Sequence, residues 1–167
     1  MSTTPSTMIP PALTIDTNNL PWAHGVLAPG FSLQLLASDV ENGFVVIRGR
    51  FQPGTVIPTH HHTGPVHGFT HAGSWYYQEY GAESLNVAGS YIFEPAGSVH
   101  TLEAPATNTE ITDTTFVIYG ALIMTDSDGA FAGTIDPAST LDLYYSTLEK
   151  QGDKRPNLIR GGSATIR

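Results

Sequence analysis

Five of the seven histidines fall within twelve residues: His60, His61, His62, His67 and His71. Neutral imidazole is the commonest protein ligand for a divalent metal, so their spacing matters more than their number. In an extended chain, side chains alternate between faces with period two. His60 and His62 then share one face of a strand and form half of a metal site, while His61 points the other way. A third ligand must come from a different strand, and His100 is the candidate; His24, in the N-terminal region, stands apart. The chain contains no cysteine, which excludes a disulfide framework, a zinc ribbon and a thiol nucleophile. Any metal site is therefore built from histidines and carboxylates.

Short β-prone runs must position these groups. They are FSLQLLA (31–37), GFVVIRGRF (43–51), HGFTH (67–71), SWYYQEY (74–80), GSYIFE (89–94), SVHTLEA (98–104) and TTFVIYGALIMT (114–125), separated by turn signals such as Pro53-Gly54 and Pro95-Ala96-Gly97. Such spacing predicts an all-β sandwich or barrel, with Ala72-Gly73 as the strongest hairpin signal. One helix is marked near the end. Asp136 is placed to cap it, Pro137 takes its first position, and Leu141, Tyr144, Tyr145 and Leu148 form one apolar stripe that docks it on the sheet. Gly152 is the stop signal. Residues 1–20, with Pro5, Pro10 and Pro11 among Ser and Thr, read as an arm that is extended or packed on a neighbour. The organisation expected is thus an arm (1–20), a β-barrel (21–135), and a C-terminal helix with basic tail (136–167) on the same domain.

At 167 residues the chain suits one core, and its 13% charged residues are about half the usual share. That balance excludes a coiled coil, a long bundle and a disordered chain. Residues 1–149 carry two basic and fourteen acidic side chains, whereas 150–167 carry five and one. Nucleic acid is not an expected partner, because phosphate binding needs clustered Lys and Arg. No apolar run reaches the roughly 18 residues of a membrane span, and the first twenty residues lack a signal-peptide pattern, so no membrane association and a cytoplasmic location are expected.

Two stretches resemble the cupin pattern. Gly54-TVIPT-His60-His61-His62 matches its first half, G-x5-H-x-H, and Gly89-SYIFE-Pro95-Ala96-Gly97-Ser98-Val99-His100 matches its second, G-x5-P-x-G-x2-H. The resemblance implies a double-stranded β-helix, or jelly-roll barrel, with an N-terminal arm and a short C-terminal helix. Two β-hairpins would bring His60, His62 and His100 together as metal ligands. Many cupins add a Glu shortly after the second histidine; the matching positions here are Val66 and His67, so a three-histidine site is implied, and manganese oxalate chemistry is disfavoured.

The segments HHHTGPVHGFTHAGSWYYQEY, AGSYIFEPAGSVHTL and YGALIMTDSDGAFAG are similar to one cupin subgroup, the 2,4'-dihydroxyacetophenone and acetylacetone-cleaving dioxygenases, related to ChrR-like cupins. That likeness implies a non-haem Fe(II), with Zn or Ni as alternative occupants after purification, and cleavage by O2 of a carbon–carbon bond beside a carbonyl. Partners would be a small neutral or enolisable ketone, O2 and further copies of the chain in a homodimer or larger oligomer. Glu94 matches a pocket acid that either hydrogen-bonds near the metal or accepts the substrate's acidic proton. Phe69, Trp75, Tyr77 and Phe93 are expected as apolar walls, and His67 as a fourth ligand or pocket neighbour. His71 replaces an apolar residue of the subgroup and would enlarge or polarise the pocket. Other chemistries on this scaffold are a metal-holding sensor without turnover and a metal-dependent isomerase or hydrolase.

Overall fold

The computed structural model describes residues 12–161 and 165–166. Fourteen strands occur among them: β1 (Ala23–His24), β2 (Phe31–Asp39), β3 (Phe44–Phe51), β4 (Val56–His62), β5 (Val66–Ala72), β6 (Ser74–Tyr77), β7 (Asn86–Val87), β8 (Tyr91–Glu94), β9 (Val99–Glu103), β10 (Thr112–Tyr119), β11 (Leu122–Thr125), β12 (Phe131–Ile135), β13 (Ile159–Arg160) and β14 (Thr165–Ile166). Helix α1 (Pro137–Gln151) separates the last two from the rest. The strands form two sheets with the double-stranded β-helix architecture of cupins. The larger runs β14-β13-β2-β3-β10-β5-β8, with β1 beside β2, and the smaller runs β12-β11-β4-β9-β6-β7.

Alternation builds the core between the sheets. Leu33 and Leu35 of β2, Val45 and Phe51 of β3, Val66 of β5, and Phe116 and Ile118 of β10 face inward and are buried. From the smaller sheet come Ile57, Trp75, Tyr77 and Leu102. Burying each such side chain contributes about 1.5–3 kcal/mol.

Two turn readings need correction. Ala72-Gly73 does not close a hairpin: β5 pairs with β10 and β8, whereas β6 pairs with β9 and β7, so the chain crosses between sheets there. A positive φ of 68° at Gly73 suits a crossover corner as well as a hairpin. The run 114–125 is two strands, broken at Gly120, where φ is 74° and the amide donates to the Gly43 carbonyl. Strands β1, β4, β7, β12, β13 and β14 were not delineated by the β-prone runs.

Helix α1 starts and stops as its residues dictate. The Asp136 carboxylate accepts from the Ser139 amide at 2.7 Å, and the Ser139 hydroxyl accepts from the Asp136 amide at 2.8 Å. Gly152 ends it in the left-handed region. Tyr144, Tyr145 and Leu148 are buried on its inner side. Of the N-terminal arm, residues 1–11 lie outside the described residues. Residues 12–20 pack on the chain's own β2, where the buried Gln34 amide donates to the carbonyls of Thr17 and Leu20. No helix among the described residues is long and apolar enough to cross a membrane.

Candidate metal centre

Strand parity and pairing bring three histidines together. In β4, His60 and His62 are buried and His61 between them is half-buried on the opposite face. β4 runs antiparallel to β9, with His60 directly across from His100. The three rings form a near-equilateral triangle, with centroids 4.9, 4.9 and 5.0 Å apart. Their ligand nitrogens all lie within 4.8 Å of one another. The Pro95-Ala96-Gly97-Ser98 turn clamps this pair of strands. Gly97, at φ 91°, donates its amide to the His62 carbonyl at 2.8 Å, and the His62 amide donates to the Ser98 carbonyl at 2.9 Å. A side chain at Gly97 would meet no atom, so the turn requires glycine for its φ, not for space.

The donor set suits a divalent cation. His62 Nε2 and His100 Nε2 are 3.0 Å apart, and Glu94 Oε2 lies 3.1 and 3.3 Å from them. Nitrogen and oxygen ligands on one ion, with bonds of roughly 2.0–2.2 Å, come about this close to each other. Glu94 Oε2 is buried and without a hydrogen-bond partner among the described residues. The His60 Nδ1 lies 2.8 Å from the Pro58 carbonyl, a donor position that leaves Nε2 its lone pair. Burial keeps His60 and His62 neutral, as ligation requires. It pushes His62 down to about 4, against the opposing pull of Glu94, and it lowers His60 despite the Pro58 carbonyl.

Glu94 is the inward-facing acid of β8 and is almost fully buried. Burial pushes its carboxyl up, but the nearby His100 and His62 rings and the Tyr77 hydroxyl outweigh that and hold it below its ordinary value. Tyr77 does more than wall the cavity. Its hydroxyl donates to Glu94 Oε1 at 2.5 Å, and its ring stacks on His100 with centroids 3.6 Å apart. Burial, then the Glu94 charge, raises the phenol well above its ordinary value, so it stays a donor. The pairing register adds a detail that the motifs do not hold: Glu94 is directly across from Val66, one of the two positions where many cupins carry their acid. A carboxylate from β8 thus stands beside the empty role on β5.

Five expected pocket residues lie elsewhere. In β5 the inward residues are Val66, Gly68 and Thr70, so His67, Phe69 and His71 point away from the barrel. His67 Nδ1 meets the Tyr91 hydroxyl at 2.8 Å, and His71 Nε2 meets the Thr115 hydroxyl at 2.8 Å, both on the outer surface. Phe93 follows the same parity in β8 and is about half exposed. Trp75 is fully buried but belongs to the core, where its indole N–H donates to Thr70 and its ring packs on Tyr77 and Phe116. His67 is therefore neither a ligand nor a pocket group, and His71 does not polarise the pocket.

Beside His60, His62, Tyr77 and Glu94 opens a cavity of about 90 Å³ with otherwise nearly apolar walls, among them Val45, Phe51, Ile57, Phe116, Ile118 and Leu122. No Lys or Arg lines it. Val26, Leu27, Asp136 and, from α1, Thr140 and Leu143 also line it. Leu27, at φ 64°, is the centre of a tight turn closed by the Ala28 amide on the Val26 carbonyl at 2.7 Å. Loop residues of this kind carry no periodic signal, and sequence reasoning missed them. Tyr77, expected as a wall, does line the cavity; its bond to Glu94 was the part missed, although a buried phenol needs a polar partner.

A family model described as the ChrR cupin-like domain matches residues 11–127. A solved Ralstonia eutropha JMP134 protein of unknown function with a cupin-like fold is 33% identical, over 87% of this chain and 90% of its own, with a TM-score of 0.81. An RmlC-like cupin protein from the same organism is 23% identical over 88% and 93%, at 0.78. An acetylacetone dioxygenase from Acinetobacter johnsonii is 22% identical over 88% and 99%, at 0.69, a likeness of fold. Among curated proteins, none matches this chain.

Proposed function

The chain belongs to the ChrR cupin-like domain family, and from that membership and its inner geometry we propose that it is a non-haem Fe(II) dioxygenase. Its substrate is a small β-diketone or 2-hydroxyketone, cleaved by O2 at the bond beside a carbonyl. Both atoms of O2 are retained in the two fragments, which are a carboxylic acid and an α-oxo carbonyl compound from a β-diketone, or two carboxylic acids from a 2-hydroxyketone. The single observation that carries the reading is the triangle of buried imidazoles beside an apolar cavity that has no cationic side chain. The fold likeness to an acetylacetone dioxygenase supports the same direction.

His60, His62 and His100 would hold the metal. Bound there by three uncharged ligands, Fe(II) would supply its full positive charge for an enolate and open positions for O2. Zn and Ni suit the same nitrogens. The chain's own contribution is proton handling and exclusion of water. Glu94 Oε2 is the acceptor for the acidic C–H proton of the ketone, and Tyr77 orients that carboxylate through Oε1. Apolar walls such as Phe116 and Ile118 select a neutral substrate, because a free carboxylate would be buried there with no cationic side chain among the lining residues.

A second reading is a metal-holding module that does not turn over, which the near-complete burial of all three histidines supports. Anaerobic loading with Fe(II), followed by oxygen uptake on diketones and hydroxyacetophenones, tests the proposal. Uptake with one acid formed per O2 from a diketone, or two per O2 from a hydroxyacetophenone, is expected. Metal binding without uptake favours the non-catalytic reading, and product formed without O2 points to an isomerase or hydrolase.

A further inference from the structure

Strand β4 changes phase midway, and the histidine triangle depends on that change. Ile57 is buried between the exposed Val56 and Pro58, so odd-numbered residues face inward where the strand begins. At His60 and His62 the even-numbered residues do. The pairing with β9 records the shift. Ile57 is across from Leu102 but His60 is across from His100, so Pro58 and Thr59 together face the single residue Thr101. This is a β-bulge, which re-aims the side chains beyond it. A regular strand that buried Ile57 would bury His61 and turn His60 and His62 outward. Pro58 suits the place, since it has no amide hydrogen to leave unpaired, and its carbonyl lies 2.8 Å from His60 Nδ1.

A bulge interrupts the ladder, and here a side chain braces it from outside the barrel. β6 pairs with β9 only as far as Tyr77, across from Leu102, after which the chain enters a short helical turn, Gln78–Tyr80. Glu79, on that turn, continues the pairing with its carboxylate. Its Oε2 accepts from the Thr101 amide and its Oε1 from the Thr101 hydroxyl, both at 2.9 Å. That hydroxyl has one proton, so in its 2.7 Å contact with the Thr59 hydroxyl it is the acceptor and Thr59 the donor. The relay thus grips Thr101, the residue after His100, and Thr59, the residue before His60. On the far side the Thr125 hydroxyl donates to the Thr59 carbonyl at 3.2 Å, which ties the bulge to β11.

We propose that Glu79 is a positioning residue of the metal centre, fixing the β4 bulge through Thr101 and Thr59 so that His60 stays across from His100. The inference rests on the three-histidine metal reading. Glu79 is exposed and does not line the cavity. Two routes lead from it to the ligands, its charge and the threonine relay, and an amide in its place separates them. Glutamine lacks the charge yet keeps the brace. Its oxygen accepts from the Thr101 amide, its NH2 donates to Thr101 Oγ1, and the Thr101 hydroxyl turns to donate to Thr59.

Zinc affinity of the full chain, read by competition with a chelator, tests this. Glu79→Ala is expected to weaken binding about tenfold and Glu79→Gln to stay within about twofold of wild type, since groups behind metal ligands contribute about 10–100-fold. Thr101→Val keeps the amide bond but breaks the hydroxyl relay, and is expected to cost about fivefold, as for one hydrogen bond. Amide hydrogen exchange of the metal-free chains separates a local brace from a general loss of stability. In Glu79→Ala, exchange is expected to speed up at Thr101 and in β4 and to keep its wild-type rate in β3 and β10. Unchanged affinity in Glu79→Ala or Thr101→Val, equal losses in Glu79→Gln and Glu79→Ala, or faster exchange throughout the barrel would each overturn the inference alone. A wild type that binds no zinc, or His100→Ala binding as tightly as wild type, would overturn the three-histidine reading and the inference with it.

Discussion

A strand pair and its neighbouring strand carry almost the same residue types and put them to opposite uses. β4 and β9 hold His60, His62 and His100 inward, where they converge. β5, only four residues beyond β4, holds His67 and His71 outward, against hydroxyls on the surface. Nothing in the side chains distinguishes the two sets. The difference is parity: β4 buries its even-numbered histidines, and β5 buries even-numbered Val66, Gly68 and Thr70, which leaves its odd-numbered histidines outside. Density of ligand-type residues along a chain is therefore weak evidence for a site, while phase against buried neighbours is strong evidence.

The sharpest challenge to that contrast is substitution within each set. His100→Ala should weaken binding of Fe(II) or Zn by more than roughly 100-fold, since even partners outside the ligand shell cost 10–100-fold. His67→Ala and His71→Ala should leave affinity within about twofold. Competition with a chelator measures all three, and a comparable loss in His67→Ala would erase the distinction.

Glu94 allows a finer cut, because its cross-strand neighbour is Val66. Glu94→Gln should reduce metal affinity by about 10–100-fold. Adding Val66→Glu to it should restore much of that loss, as the acid then projects from β5 into the same space. If affinity does not recover, the carboxylate matters for its bond to Tyr77 instead of its proximity to the histidines. Tyr77→Phe should cost less, about fivefold, corresponding to the roughly 1 kcal/mol of one hydrogen bond.

Asp113 on the outer face provides the smallest effect and a pH signature. Burial pushes its carboxyl up, but hydrogen bonds from Arg48 and then Arg50, with their charges, hold it below its ordinary value near 3.8. Its contribution is thus complete above the unfolded-state value and disappears as pH falls through the folded-state value. Asp113→Asn should lower stability by about 1 kcal/mol at pH 7, the exposure of both arginines keeping the figure modest. The gap to wild type should close below about pH 3.8, as urea melts at several pH values would show.

Much of the barrel was legible because its cues are local. Gly54, Gly89, Pro95 and Gly97 mark turns, the β-prone runs mark most strands, and Asp136-Pro137 with Gly152 mark the helix limits. His60, His62 and His100 were legible as a group from one period-two pair and one shared motif. What was not legible is set by pairing across sheets. Ala72-Gly73 has the chemistry of a hairpin yet joins two sheets, and no local cue records which partner a strand will take. The inward Glu94–Tyr77 bond and the outward fate of Phe69 and Phe93 depend on that same choice. Val26 and Leu27 reach the cavity from an irregular loop, where no periodicity exists to be read.

The central claim is that three imidazoles from two strands hold one divalent ion. X-ray absorption at the metal edge of the loaded full-length protein counts them directly. One metal per chain with three imidazole nitrogens near 2.1 Å, falling to two in His100→Ala, is the expected result. A wild-type shell with fewer than three imidazoles, or one unchanged by that substitution, would contradict it.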